Sequence, residues 1–385
     1  MISKFNILNF RNISNLSVSL TDVNIVVAPN AKGKTNLLEA IFFAFTSKTL
    51  KKIQTLNDLI GPISNTCKVT INLDDNSVLE YIITKINHGN KTISKKSIKL
   101  NNKNISHEYV AKTYPVISFV PSSINSIEGE PNERREEIDS FLSILYYEYG
   151  VKLDEYKKIL KHRNEVLEKL QIQNNNTFLY QTKQILDEKI STLASIITLH
   201  RIKLVQDLSP IFLKLLQDYN IFGDNIEVQI KYISNVLNKS NHNIEFSKHF
   251  LKNLNENELN SCIIKTYQQT EKQEIVLGHT IYGPHRDDFE FTIKDKTFKY
   301  FASRGQQRIL LFLLKISMIN LYYNIYKKYP FVLLDDIMSE IDTNNRMKII
   351  EIIGKQEFKF ILTSLTEDDA ISTLVQKRKA SLIRL

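Results

Sequence analysis

The chain is poor in cysteine and in long apolar runs, and each scarcity removes a class of protein. Among its 385 residues only Cys67 and Cys262 are cysteines, far apart and outside any C-x-x-C spacing. Neither a disulfide framework nor a zinc site is suggested, and a reducing compartment fits. The longest apolar runs, such as Ala40 to Phe45 and Ile309 to Leu314, are too short to span a bilayer. No signal peptide precedes the first apolar segment, so the expectation is a soluble, cytoplasmic protein with no membrane partner. Internal repeats are missing, and no base-reading motif is visible, which argues against sequence-specific nucleic-acid recognition.

What is present allows two or more domains, since 42% of the residues are hydrophobic. A formal charge of +9 with a pI near 9.1 favours an anionic partner without establishing one.

Glycine is scarce too, ten in all, and the scarcity is felt at one stretch: Val26-Val27-Ala28-Pro29-Asn30-Ala31-Lys32-Gly33-Lys34-Thr35-Asn36. It runs from an apolar strand into an apolar helix and reads as a phosphate-binding loop, because a helix start leaves N–H groups free to face an anion. Lys34 supplies the charge for phosphates and Thr35 a hydroxyl for Mg²⁺. The pattern G-x-x-x-x-G-K-[ST] has alanine at Ala28, and Ala31 stands where many related loops carry glycine. If Ala31 must take a positive φ, alanine costs roughly 1 to 2 kcal/mol there. The expectation is weakened nucleotide binding, restored by Ala31→Gly. The plainer alternative is an ordinary strand-turn-helix junction.

In chain order, Ile2 to Leu20 alternates as a β-hairpin broken at Arg11-Asn12, feeding a strand at Asn24 to Val27. Short strands follow at about Lys68 to Leu73, Leu79 to Lys85 and Ile93 to Leu100, then one at Pro115 to Val120. The period then becomes helical. Leu153, Tyr156, Leu160, Arg163, Leu167 and Leu170 form one stripe, and Leu186, Ile190, Leu193, Ile197 and Leu204 another. They predict either an antiparallel helical arm or two core helices of a helical lobe. A strand near Ile226 to Ile233 and a helix around Phe246 to Gln269 come next.

Chemistry returns after that middle. Tyr282-Gly283-Pro284-His285-Arg286-Asp287-Asp288 is a turn with a cation in it, and His285 reads as a loop histidine with an ordinary hydrogen-bond partner. Ser303-Arg304-Gly305-Gln306-Gln307 opens a long apolar helix, either a simple cap or an anion site. Phe331 to Leu334 followed by Asp335-Asp336 describes a central parallel strand that ends in two acids, where open α/β sheets bind ligands. Asp335 is placed to hold Mg²⁺ and Asp336 to polarise water. Ser339-Glu340-Ile341-Asp342 follows, and Thr363-Ser364 ends a last strand where a γ-phosphate sensor would sit.

In this order these pieces resemble the ABC-type ATPases of chromosome maintenance and repair. Four more resemble the RecF family in particular: Asn9-Phe10-Arg11-Asn12, Glu128-Gly129 to Arg134-Arg135, Tyr156 to Leu167 with Lys161-His162-Arg163-Asn164, and Gly283 to Asp288. The resemblance implies an α/β fold: an ABC-type P-loop ATPase head, a mixed sheet flanked by helices, with an inserted α-helical arm. Head segments are expected at 1–120 and 273–385, around an arm at 121–272. It implies nucleotide binding by Ala28, Pro29, Asn30, Ala31, Lys32, Gly33, Lys34, Thr35 and Asn36 with Arg11 and Asn12. Thr35 and Asp335 would hold Mg²⁺ and Asp336 would be the hydrolytic acid. Ser303, Arg304, Gly305, Gln306 and Gln307 would act in trans, and Ser339, Glu340 and Asp342 would form the loop after the acids.

The function so implied is an ATP-dependent DNA-binding protein of recombinational repair and SOS induction, homodimeric on ATP and acting with RecO and RecR to load RecA. The cofactors are ATP and Mg²⁺, and any hydrolysis is slow. Two other readings stand beside it: a structural DNA or RecR adaptor that has lost ATP binding through Ala28 and Ala31, and the nucleotide-binding subunit of a membrane transporter.

Overall fold

The computed structural model describes residues 2–88, 91–221, 228–239, 255–294, 296–339 and 341–385. Its two compact units are Met1–Ile124 with Ser303–Leu385, and Asn125–Ala302.

The first unit holds two sheets. The antiparallel one contains β1 (Ile2–Phe10), β2 (Ile13–Ser19), β4 (Thr66–Leu73), β5 (Val78–His88), β6 (Lys91–Leu100) and β7 (Lys103–Asn104), in the order β2-β1-β4-β5-β6-β7. Its alternation is the sequence pattern made physical: Phe5, Ile7, Ile71, Tyr81 and Ile83 are buried while their neighbours face outward. The parallel sheet contains β3 (Val23–Val27), β8 (Val116–Phe119), β12 (Phe331–Leu334), β13 (Phe360–Ser364) and β14 (Ser381–Arg384), in the order β14-β3-β13-β12-β8. Strand β12 lies between two parallel neighbours, and all four of its residues are buried.

Helix α1 (Lys34–Thr46) joins the two sheets into one core. Leu37, Ile41, Phe43 and Phe45 cluster with Phe5 and Ile71 of the antiparallel sheet and with Leu333 and Ile361 of the parallel one. At about 25 cal/mol per Å² of buried apolar surface, this cluster is what fixes the loop ahead of α1 in place.

The Arg304–Tyr326 helix corrects one expectation about apolar runs. Among the described residues it is the one helix long and apolar enough to cross a membrane, with a window of mean hydropathy 1.4. Counting uninterrupted runs missed it, because Lys315 and Ser317 break the run without breaking the helix. Most of the window is buried, with Leu310, Leu313, Ile316 and Met318 at 0% exposure, as in a core helix.

The second unit is largely helical. The Tyr147–Ile172 and Thr177–Asp218 helices, 26 and 42 residues long, run in opposite directions, and the Glu256–Leu277 helix packs on both. At 1.5 Å per residue the longer helix is about 63 Å. Leu153, Tyr156, Arg163, Leu167 and Leu170 are buried, as are all five residues of the second stripe. A small sheet adds β9 (Val228–Ile233), β10 (Asp288–Ile293) and β11 (Lys296–Thr297), with β9 and β11 on either side of β10. The strand expected from Ile226 is described from Val228, and of the helix expected over 246–269 the part from 246 to 254 lies outside the described residues.

The chain rejoins the first unit at Ser303, where the sequence reading had placed the return at 273. The reason is a set of side-chain bonds that ties residues 274–288 to the helices of the second unit. Arg163, fully buried, donates to Asp187 Oδ1 (2.7 Å), Glu274 Oε2 (2.6 Å) and Thr280 Oγ1 (2.6 Å). Asn164 Oδ1 accepts from the Thr280 N–H at 2.9 Å. Arg201 grips Asp139 through Nε and Nη2, both at 2.9 Å, and reaches the Pro284 carbonyl at 2.6 Å. Arg134 pairs with Asp288, and the Tyr232 hydroxyl donates to Asp287.

Candidate functional site

The segment from Ala28 to Gly33 connects β3 to α1, and the two departures from a glycine-rich loop have different outcomes. Ala28 is buried, keeps a negative φ and donates its N–H to the Ser364 carbonyl at 3.3 Å, so a methyl group is accommodated there. Ala31 does take the left-handed region, φ 65°, where alanine is strained. Gly33 follows at φ 97° as the residue that caps α1. No side chain caps this helix start, which leaves its first N–H groups to whatever lies in front of the loop.

Lys34 is buried and curls back onto the loop, donating to the Ala28 carbonyl at 2.5 Å and the Pro29 carbonyl at 3.1 Å. Pro29, Asn30, Ala31 and Lys32 form its exposed crown. The hairpin turn braces the crown from one side. Asn12 Nδ2 donates to the Ala31 carbonyl at 3.3 Å, and its Oδ1 accepts from Asn36 Nδ2 at 2.7 Å. Arg11, itself at φ 49°, is bound by the buried carboxylate of Glu39 in α1, through Nη2 at 3.0 Å and Nε at 2.6 Å.

Across the sheet, β12 delivers Asp335, whose carboxylate is held between two hydroxyls. Thr35 Oγ1 donates to Oδ2 at 2.8 Å and Thr363 Oγ1 to Oδ1 at 2.7 Å. Thr363 also accepts the Asp336 N–H at 3.0 Å. The residue expected as a phosphate sensor is therefore buried and bound to both aspartates, while the Ser364 hydroxyl donates to the Thr366 carbonyl. Asp336 sits at φ 50°, another left-handed position without glycine. Burial raises its carboxyl above the ordinary carboxylate range; a hydrogen bond from Ser339 opposes this, Asp335 adds to it, and Arg308 and Lys34 oppose it again.

The remaining candidates are placed as follows. Ser303 caps the Arg304–Tyr326 helix: its Oγ accepts the Gln306 N–H at 3.3 Å and its N–H donates to Gln306 Oε1 at 2.8 Å. Arg304 and Gln306 are exposed, Gly305 is half-buried and Gln307 is buried. Asp342 caps the Thr343–Gly354 helix. Glu340 lies outside the described residues. Arg308, one turn past Arg304, donates to Ser339 Oγ at 2.6 Å and so joins the serine-capped helix to the loop after the acids.

Arg308, Glu39 and the bridging role of Thr363 were missed by sequence reasoning. Glu39 had a usable signal: it is the one charged side chain in α1 after Lys34, on a helix otherwise apolar nearly all round. An isolated acid there requires a partner.

A parallel sheet in which β3 ends in a phosphate-type loop and β12, one strand removed across β13, ends in paired acids, with a helical unit inserted in the chain, defines an ABC-type P-loop ATPase head with an inserted arm. The RecF/RecN/SMC N terminal domain family matches residues 1–378. The chain belongs to the RecF family. It is 31% identical to the DNA replication and repair protein RecF of Clostridium novyi, over 94% of this chain and 92% of that one. It is also 31% identical to the RecF of Streptococcus thermophilus, over 100% and 97%. Among solved structures, the recombination mediator protein RecF-ATPrS in the RecFOR pathway is similar, with a TM-score of 0.79 at 23% identity over 96% of this chain and 94% of that one. An Smc head bound to the C-winged helix domain of ScpA is a more distant likeness, with a TM-score of 0.53 at 14% identity, over 97% and 92%.

Proposed function

We propose that this chain is an ATP-dependent DNA-binding protein of replication-linked recombinational repair and SOS induction. It works in the cytoplasm, binds DNA at gaps without sequence preference, dimerises on ATP, and helps RecO and RecR load RecA. The observation that carries the nucleotide part is the Thr35–Asp335–Thr363 bridge, which sets a hydroxyl and a carboxylate at the edge of an uncapped helix start.

The residues fit a magnesium nucleotide. Lys34, whose partners are two loop carbonyls, can exchange them for phosphate oxygens. Thr35 and Asp335 offer hard oxygen donors of the kind Mg²⁺ takes beside phosphates. Bound Mg-ATP would supply the charge that makes a second head bind and a phosphoanhydride open to hydrolysis. Asp336, half-buried and left-handed, is the acid that orients water, and its raised proton affinity suits a base. The Ser303 to Gln307 helix start serves the partner's nucleotide, so that two heads close symmetrically and association is linked to ATP.

The test is equilibrium binding of ATP and light scattering for wild type, Lys34→Ala and Ser303→Arg. Lys34→Ala should lose ATP affinity while staying folded, and Ser303→Arg should keep ATP as a monomer. A wild-type protein that binds DNA but no ATP would favour the adaptor reading, in which the strain at Ala31 accompanies a lost nucleotide site.

A further inference from the structure

The antiparallel sheet carries a charge imbalance that the nucleotide site does not use. Its six strands contain eight lysines against a single acid, Glu80. Residues 81–107 alone hold six lysines and no Asp or Glu, which is +6 of the chain's +9 in 27 of 385 residues. A solvated surface normally mixes both signs.

The pleat decides where these charges point. Leu79, Tyr81 and Ile83 of β5 enter the core, so Glu80, Ile82 and Thr84 face outward. Across the ladder, Lys99 is opposite Glu80 and Lys95 opposite Thr84, while Thr70 pairs with Glu80 and Lys68 with Ile82. Asn6 lies opposite Thr70, and Lys4 opposite Asn72. One outer face therefore presents Lys4, Lys68, Lys95 and Lys99 among Asn and Thr side chains and the apolar Leu8 and Ile82, with Lys68 neutralised by Glu80. Lys4 and Lys95 are exposed.

We propose that this outer face binds the phosphate backbone of duplex DNA. The inference rests on reading the chain as a DNA-binding protein and goes beyond it by assigning the surface. Lysine with hydroxyl and amide donors is the side-chain set that contacts phosphates and carries no sequence information. From Lys4 on β1 to Lys95 and Lys99 on β6 the face spans three strand spacings, about 14 Å, which corresponds to on the order of eight duplex charges. The outward residues of β4 and those of β5 from Glu80 to Ile86 include no aromatic ring, and stacking platforms are what single-strand binders need. The occupant is therefore a duplex rather than an unpaired strand.

The experiment compares full-length wild type with Lys4→Gln/Lys95→Gln/Lys99→Gln and with a control of equal charge change, Lys152→Gln/Lys157→Gln/Lys158→Gln, on the Tyr147–Ile172 helix. Binding to a labelled duplex of arbitrary sequence is measured with ATP and Mg²⁺ over a range of salt. The sheet variant should lower the slope of log K against log salt by about 2 to 3, at about 0.9 per lost phosphate contact, and should keep wild-type ATP affinity. The control should leave the slope unchanged. Equal losses in both variants would mean that net charge alone acts, and an unchanged slope in the sheet variant would place DNA elsewhere; either overturns the proposal. Loss on a single-stranded oligonucleotide with none on the duplex overturns it as well. A wild-type protein that binds no DNA in any nucleotide state would instead overturn the DNA-binding reading itself.

Discussion

The helical network of the second unit and the phosphate-type loop of the first answer their polar groups in opposite ways. In the second, charges are enclosed and answered: Arg163 meets Asp187, Glu274 and Thr280 and lies 4.4 Å from the Tyr267 ring centre, and Lys183 bridges Asp187 and Glu271. In the first, Lys34 rests on loop carbonyls, α1 has no side-chain cap, and Ala31 and Asp336 hold left-handed backbone. A satisfied network makes one shape rigid, whereas under-answered donors and strained residues mark a place shaped for something else. The motifs that single out this family divide along the same line. Gly283 to Asp288 and Lys161 to Asn164 build the arm, and the loop and the paired acids build the head.

The comparison would break first at Arg163. Arg163→Ala leaves the buried Glu274 without its cation and Asp187 with Lys183 alone, and should destabilise the protein by about 3 to 5 kcal/mol. Urea unfolding measures this, and a loss under about 1 kcal/mol would show that the network is not structural. Lys34→Ala should show the opposite profile, with stability nearly kept.

At the acids, Asp336→Asn should slow ATP turnover about a hundredfold while ATP affinity changes little, since its role arises when water attacks. Asp335→Asn should reduce both, because it also disturbs Thr35 and Thr363. Steady-state turnover beside nucleotide titration separates them; equal losses in both variants would end the division of roles.

The arm's titration sharpens the contrast. Burial pushes Asp287 up to about 6 and pulls His285 down to about 4. As pH falls from about 6.5 to 4, the unfolded histidine takes a proton that the folded one refuses, and stability drops. Over nearly the same window Asp287 gains a proton in the folded state first, and stability rises. The two contributions nearly cancel. His285→Gln should remove the first, so that from pH 6.5 to 4 the variant gains about 3 kcal/mol relative to wild type. Urea midpoints at several pH values check the sign.

The smallest effect belongs to Ala31→Gly. Because φ is 65° with the loop as it stands, relief of strain should appear as a stability gain of up to about 1 kcal/mol rather than as tighter ATP binding. A large gain in affinity would restore the expectation from sequence, that alanine at this position weakens nucleotide binding.

By itself the sequence determined the periodicities and the chemistry-bearing segments, and with them the fold class. Alternation of period 2 sets which residues of β1, β4 and β5 enter the core, and Leu333 and Leu334 before two acids define a buried parallel strand. Those are local properties, written in neighbouring residues. Only the tertiary structure decided that Thr363 spans both aspartates, that Glu39 binds Arg11, that Arg308 reaches Ser339, and that residues 274–288 belong with the arm. Each of these depends on partners 27 to more than 100 positions apart, such as Arg163 with Glu274 at a separation of 111. Spacing along the chain carries no information about such pairs, because the buried charge accepts whichever counter-charge the packing of apolar faces brings within reach.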